Sequence, residues 1–192
     1  MRPRGIILFG PNGAGKSTVG AELARLLGFK FMDIEAYAFE KSEIPYAATR
    51  PREDCHKLIL ADIEKHRSFV LSAVTGEFGD AIVQYYALAV YITAPKELRM
   101  ERIRQRAYDQ HGDRVLEGGD MYEQEQGFFE WAAARDLSKI DRWAETLTCP
   151  VIKIDGSLDW RANAAIIAEA VKKLLPIQTQ RRESARTREI PQ

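Results

Sequence analysis

The sequence predicts an α/β fold in which a parallel β-sheet lies between two layers of helices. Three observations predict it. Short apolar runs alternate with stretches of helical periodicity along most of the 192 residues. Several runs, such as Leu88-Ala89-Val90-Tyr91-Ile92, are continuously apolar, as suits strands covered on both faces. A glycine-rich segment, G-P-N-G-A-G-K-S-T from Gly10 to Thr18, separates the first run from the first helical stretch.

In chain order, the first strand is expected at 5–9, Gly5-Ile6-Ile7-Leu8-Phe9. The segment after it fits the phosphate-binding pattern G-x-x-x-x-G-K-[ST]. Val19, Leu23, Leu26 and Leu27 then fall at helical spacing, giving a helix at 16–28. Between strand and helix, the backbone N–H groups of the loop and the helix N-terminus face an anion. Gly10, Gly13 and Gly15 let the backbone curl without side chains in the way. Lys16 can reach the β- and γ-phosphates, and Ser17 can offer its hydroxyl to Mg²⁺. Gly10, Pro11, Asn12, Gly13, Ala14, Gly15, Lys16, Ser17 and Thr18 are therefore the candidate nucleotide-binding residues, with ATP and Mg²⁺ as the expected cofactors.

Further strands are expected at 29–32, 69–74, 87–92 and 150–154, and helices at 53–66, 96–110, 120–146 and 159–175. Crossovers between them should be right-handed. Two stretches interrupt the alternation: a largely helical insertion at 34–66, and 107–135, rich in Gly, Asp, Glu and aromatics. Insertions at the carboxyl ends of strands are where open α/β sheets bind ligands. One domain is expected over 1–176, followed by a polar, Arg-rich tail at 177–192 without apolar periodicity. That tail reads as a mobile terminus, or as an arm that packs on another subunit or touches polyanions. Monomer and homodimer both remain open.

Lys plus Arg and Asp plus Glu both number 28, so no global basic field favours nucleic acid or an acidic membrane, although a local patch can still bind a polyanion. The longest apolar run, Ala87 to Ile92, is too short to cross a bilayer. The apolar stretch after Met1-Arg2-Pro3-Arg4-Gly5 is interrupted at once by the glycine-rich loop, so no signal peptide is expected and a cytoplasmic location is. Cys55, Cys149 and three scattered histidines show no zinc spacing, which points to two unpaired thiols.

With these motifs the chain resembles a small P-loop kinase of the adenylate kinase and shikimate kinase superfamily, over roughly residues 4–175. The resemblance implies a three-layer P-loop NTPase fold with a five-stranded parallel sheet in the order 2-3-1-4-5, an acceptor-binding insert at about 34–66 and a mobile lid at about 107–135. Transporter-type ATPases share such a loop but need an L-S-G-G-Q signature and a strand ending in Asp-Glu. The third run here ends Leu71-Ser72-Ala73-Val74-Thr75-Gly76. An N-K-x-D motif for reading guanine is also absent. The implied activity is Mg²⁺-dependent transfer of the ATP γ-phosphate to a small, anionic or nucleotide-like acceptor. Two alternatives stand beside it: a kinase acting on a nucleic-acid or tRNA end, and a regulatory ATP-binding protein with slow hydrolysis.

Shikimate-type kinases carry D-x-D after the second strand, where this chain has Asp33-Ile34-Glu35. Asp33 is the candidate for metal contact through water or for orienting the acceptor hydroxyl, and also fits a helix cap. Glu35 is a candidate acceptor contact or a surface acid. Arg99, Arg102 and Arg106 share one helical face, and Arg102-Ile103-Arg104-Gln105-Arg106 matches the R-x-x-x-R of adenylate-type kinases, which grips ATP phosphates. Arg114 and Arg135 can close onto the phosphates or the acceptor. Arg50 and Arg52, in Arg50-Pro51-Arg52, can hold an acceptor phosphate or carboxylate, or form a charged turn. Gly118-Gly119 reads as a hinge, with Asp120 and Glu123 set as a capping box. Phe128, Phe129 and Trp131 read as core or lid packing, and Asp155-Gly156-Ser157 as the loop beside adenine.

Overall fold

The computed structural model describes residues 3–42, 46 and 48–174. The expected tail at 177–192 lies outside the described residues. Five strands, β1 (Arg4–Phe9), β2 (Lys30–Asp33), β3 (Ser68–Ser72), β4 (Tyr86–Thr93) and β5 (Val151–Asp155), pair in parallel in the order β2-β3-β1-β4-β5. This is the expected order. The helices are α1 (Lys16–Leu27), α2 (Ile34–Ala38), α3 (Arg52–His66), α4 (Asp80–Val83), α5 (Lys96–His111), α6 (Tyr122–Ala134), α7 (Ser138–Glu145) and α8 (Trp160–Leu174).

Alternate residues of a strand face opposite sides of the sheet, and the core divides accordingly. Ile7 and Phe9 of β1, with Phe69, Leu71, Ala89 and Tyr91, pack on Ile59 and Ile63 of α3 and on Trp143 of α7. Ile6 and Leu8, with Val70, Leu88 and Val90, pack on Val19 and Leu23 of α1 and on Ile167 and Val171 of α8. A third, separate cluster holds α5 to the segment after it: Met100, Ile103, Val115, Met121, Phe129 and Ala132. The segment expected as a lid therefore has its own small apolar core, closed by a 3-10 turn at Gly112–Val115.

Two expected elements differ. The helix expected at 120–146 breaks into α6 and α7. At the break the Asp136 carboxylate accepts from both the backbone N–H and the hydroxyl of Ser138, each at 2.9 Å. Such side-chain competition for backbone donors ends one helix and starts the next. The expected capping box at Asp120 is also corrected. Met121 holds the N-cap position of α6, and the Asp120 carboxylate is instead gripped by Arg114 at 2.8 and 2.9 Å.

The register sets the site. Asp33, the last residue of β2, lies beside Ser72, the last residue of β3, and Ser72 pairs with Leu8 of β1. The carboxyl ends of these strands thus bring the glycine-rich loop, Asp33 and Ser72 together.

Candidate active site

The loop turns at two glycines that no other residue could replace. Gly10 has φ +141°, and a Cβ there would lie 2.1 Å from the Ile92 carbonyl oxygen. Gly13 has φ +78°, and its Cβ would lie 2.4 Å from the carbonyl oxygen of Arg99. Arg99, the buried member of the expected arginine face, fastens the loop from α5. Its Nε donates to the Ala94 carbonyl at 3.1 Å and its Nη1 to the Asn12 carbonyl at 3.2 Å. Sequence spacing grouped Arg99 with Arg102 and Arg106. Nothing in that spacing distinguished an arginine that holds the loop from arginines that face the cavity.

The loop leads into α1 at a cavity of about 590 Å³, lined by Lys16, Ser17, Thr18, Asp33, Arg102 and Arg106, among others. Lys16 is buried and donates to the Pro11 carbonyl at 2.9 Å. Burial lowers its pKa to about 8, against the pull of Asp33 and Glu35; Arg106 and Arg135 push it further down. An ammonium so placed is undersatisfied until an anion arrives. Ser17 Oγ lies 3.3 Å from Ser72 Oγ. Asp33 accepts from the Glu35 backbone N–H at 3.1 Å, so it caps α2 while also lining the cavity. Arg102 donates to the Gly156 carbonyl at 2.8 Å, tying α5 to the loop after β5. That loop, with Trp160 and Asn163 of α8, closes the far end of the cavity. Asn163 holds it by donating to the Asp155 carbonyl at 2.9 Å. Neither Trp160 nor Asn163 carried a motif.

A second cavity of about 400 Å³ adjoins the first. Asn12, Ile34, Glu35, Val74, Ile103 and Arg106 line both. The second cavity continues between α2, α5 and α6, where Phe128, Trp131 and Arg135 form its far wall. Phe129 packs in the third core as expected, whereas Trp131 is half exposed on this wall. The break after α6 aims Arg135 inward: its Nη1 donates to Asn12 Oδ1 at 2.9 Å and its guanidinium lies 4.2 Å from the Trp131 ring. Tyr46 donates to Glu35 Oε2 at 3.0 Å, and burial first, then Glu35, raises the tyrosine pKa to about 12.

Three expected arginines stand elsewhere. Arg50 donates to the Tyr37 carbonyl and Arg52 to the Glu77 carbonyl, the latter at 2.9 Å, so both tie down the insert. They border a separate, shallower concavity with His56 and Phe78. Arg114, paired with Asp120, lines neither connected cavity. Both cysteines are free, and among the described residues no cluster of three His, Cys, Asp or Glu could hold a metal. No described helix is long and apolar enough to cross a membrane.

A phosphate loop at the end of the central strand, a basic helix across it and a second cavity alongside stand on a P-loop fold shared with shikimate kinases. Residues 6–127 match the family model described as an AAA domain, and the chain belongs to that family. It is 32% identical over 165 residues to the uncharacterized protein YqaC of Bacillus subtilis, covering 79% of this chain and 88% of that protein. It is 34% identical over 113 residues to the shikimate kinase of Acinetobacter baylyi, covering 50% of this chain and 59% of that enzyme. Among solved structures, shikimate kinase from Acinetobacter baumannii in complex with shikimate shares the fold, with a TM-score of 0.52 and 23% identity over 90% of this chain and 94% of that one. A putative kinase from Chloroflexus aurantiacus shares it with a TM-score of 0.55 and 14% identity over 90% and 97%.

Proposed function

We propose that this protein transfers the γ-phosphoryl group of ATP to a hydroxyl of a small molecule held in the second cavity. The observation that carries this reading is the continuity of the two cavities. One is bounded by the phosphate loop, the other by the insert and α6, and Glu35 and Arg106 stand where they meet. A γ-phosphate held at the loop would stand beside the second cavity.

The donors at the first cavity fit Mg²⁺, a hard cation that takes oxygen ligands and keeps several waters. Ser17 would bind it directly and Asp33 through water. When bound, the ion would supply positive charge against the charge that develops on the phosphates. The chain's own groups supply the rest. Lys16 follows the moving phosphoryl group. Arg102 and Arg106 neutralise its equatorial oxygens from the α5 side, and Arg135 approaches from the break after α6. Asp33 or Glu35 receives the proton of the attacking hydroxyl. Arg114 joins the phosphates only if the segment around it closes further.

The reading is tested by incubating the protein with γ-labelled ATP and a panel of hydroxyl-bearing metabolites, with Lys16→Ala and EDTA as controls. Label transferred to an acceptor, lost in both controls, is the expected result. Label appearing only as inorganic phosphate across the panel would establish an ATPase instead.

A further inference from the structure

The second cavity contains a group that phosphoryl transfer does not use. Glu125 of α6 lines it and is only 8% exposed, yet among the described residues its carboxylate has no hydrogen-bond or ion-pair partner. No fully enclosed side-chain oxygen or nitrogen lacks a partner among those residues, so the Glu125 oxygens open onto the cavity. A largely enclosed glutamate whose oxygens face a cavity and have no donor among the described residues is free to accept a hydrogen bond from a group that enters.

The surroundings narrow that partner. Phe39 and Tyr46 from the insert, 5.1 Å apart edge to face, and Phe128 and Trp131 from α6 give this cavity an aromatic wall. Arg106 also borders the phosphate cavity, and Arg135 is engaged by Asn12 and stacked on Trp131. Glu35 and Glu125 both line this cavity, so an acidic acceptor would meet two carboxylates there. A donor group on a flat apolar ring meets both features at once, with the ring against the aromatics and the donor on the carboxylate.

Resting on the reading that this cavity holds the acceptor, we propose that the acceptor is a ring-bearing alcohol with an amino group that donates to Glu125, and not a sugar acid. In the reaction its hydroxyl oxygen forms the new bond to the γ-phosphorus of ATP. The bond from that phosphorus to the bridging oxygen breaks, ADP leaves, and the hydroxyl proton passes to the Asp33–Glu35 pair and on to water.

The test uses matched probes that differ at the amino group, cytidine against uridine and adenosine against inosine, with shikimate and gluconate as acids. Binding is read by calorimetry on the full chain holding a non-hydrolysable ATP analogue and Mg²⁺. At least one amino probe should bind about tenfold or more tightly than its match and than either acid. Glu125→Gln should erase that preference while ATP-analogue affinity stays within about twofold and the melting temperature holds. Trp131→Leu should weaken both members of the pair equally. Tighter binding of an acid, or no tenfold preference for an amino probe, overturns the proposal. If the ATP analogue itself fails to bind, the kinase reading has failed, and that measurement is made first.

Discussion

Lys16 offers the sharpest test of how the phosphate loop is held. Its ammonium is buried, and burial lowers its pKa from 10.5 to about 8. A lysine with a lowered folded pKa opposes folding at pH values where it is charged in both states. The opposition is full below about pH 8 and disappears as pH rises through 10.5, because there the unfolded chain binds the proton that the folded chain has lost. A displacement of this size corresponds to about 3 kcal/mol. About 2 kcal/mol of it should be recovered between pH 7 and pH 9.5. Lys16→Met keeps the apolar stem, deletes the charge, and gives up the bond to Pro11, worth about 1.5–3 kcal/mol for a charged donor. At pH 7 the variant should therefore be close to the wild type in stability, although it has lost the only phosphate-reaching lysine of the loop. Between pH 7 and pH 9.5 it should lose about 2 kcal/mol relative to the wild type. Urea unfolding of both proteins at the two pH values measures this, and the difference between them removes contributions from other titrating groups. Parallel pH dependences would refute the argument and show that Lys16 is not strained in the empty protein. Addition of an ATP analogue with Mg²⁺ should stabilise only the wild type.

Arg106→Ala should lower the transfer rate by one to two powers of ten, the equivalent of about 1.5–3 kcal/mol of charge-assisted contact. In the same variant, hydrogen exchange over 107–135 should lose the slowing that an ATP analogue and an acceptor together produce in the wild type. Equal exchange with and without ligands would identify the segment as a rigid insert stabilised by its own apolar cluster. Arg99→Ala should cost about 2–4 kcal/mol in unfolding experiments, because it leaves the Asn12 and Ala94 carbonyls without their donor. ATP-analogue affinity should fall with it, and unchanged affinity would show that the loop keeps its shape without this tether.

The sequence by itself determined the sheet and the place of the glycine-rich loop in it. Both are written locally. Continuous apolar runs mark the strands and a 3.6-residue apolar period marks the helices, and the loop signature is contiguous because a single turn of backbone carries it. Strand ends came within one or two residues for the same reason. The second cavity was beyond such reading. Its walls come from α2, α5, α6 and the phosphate loop, far apart in sequence, and only packing brings Asn12 within 2.9 Å of Arg135. Tertiary structure alone also sorted the arginines. Arg50, Arg52, Arg99, Arg102 and Arg114 carry the same side chain in similarly basic stretches, yet four of them are engaged by backbone carbonyls and one by a carboxylate. A guanidinium's role depends on which acceptor the fold places within hydrogen-bonding reach, and no local pattern encodes that distance. Glu125 follows the same rule: in the sequence it is one acid in a polar run, and enclosure without a partner among the described residues makes it a candidate for reading the acceptor.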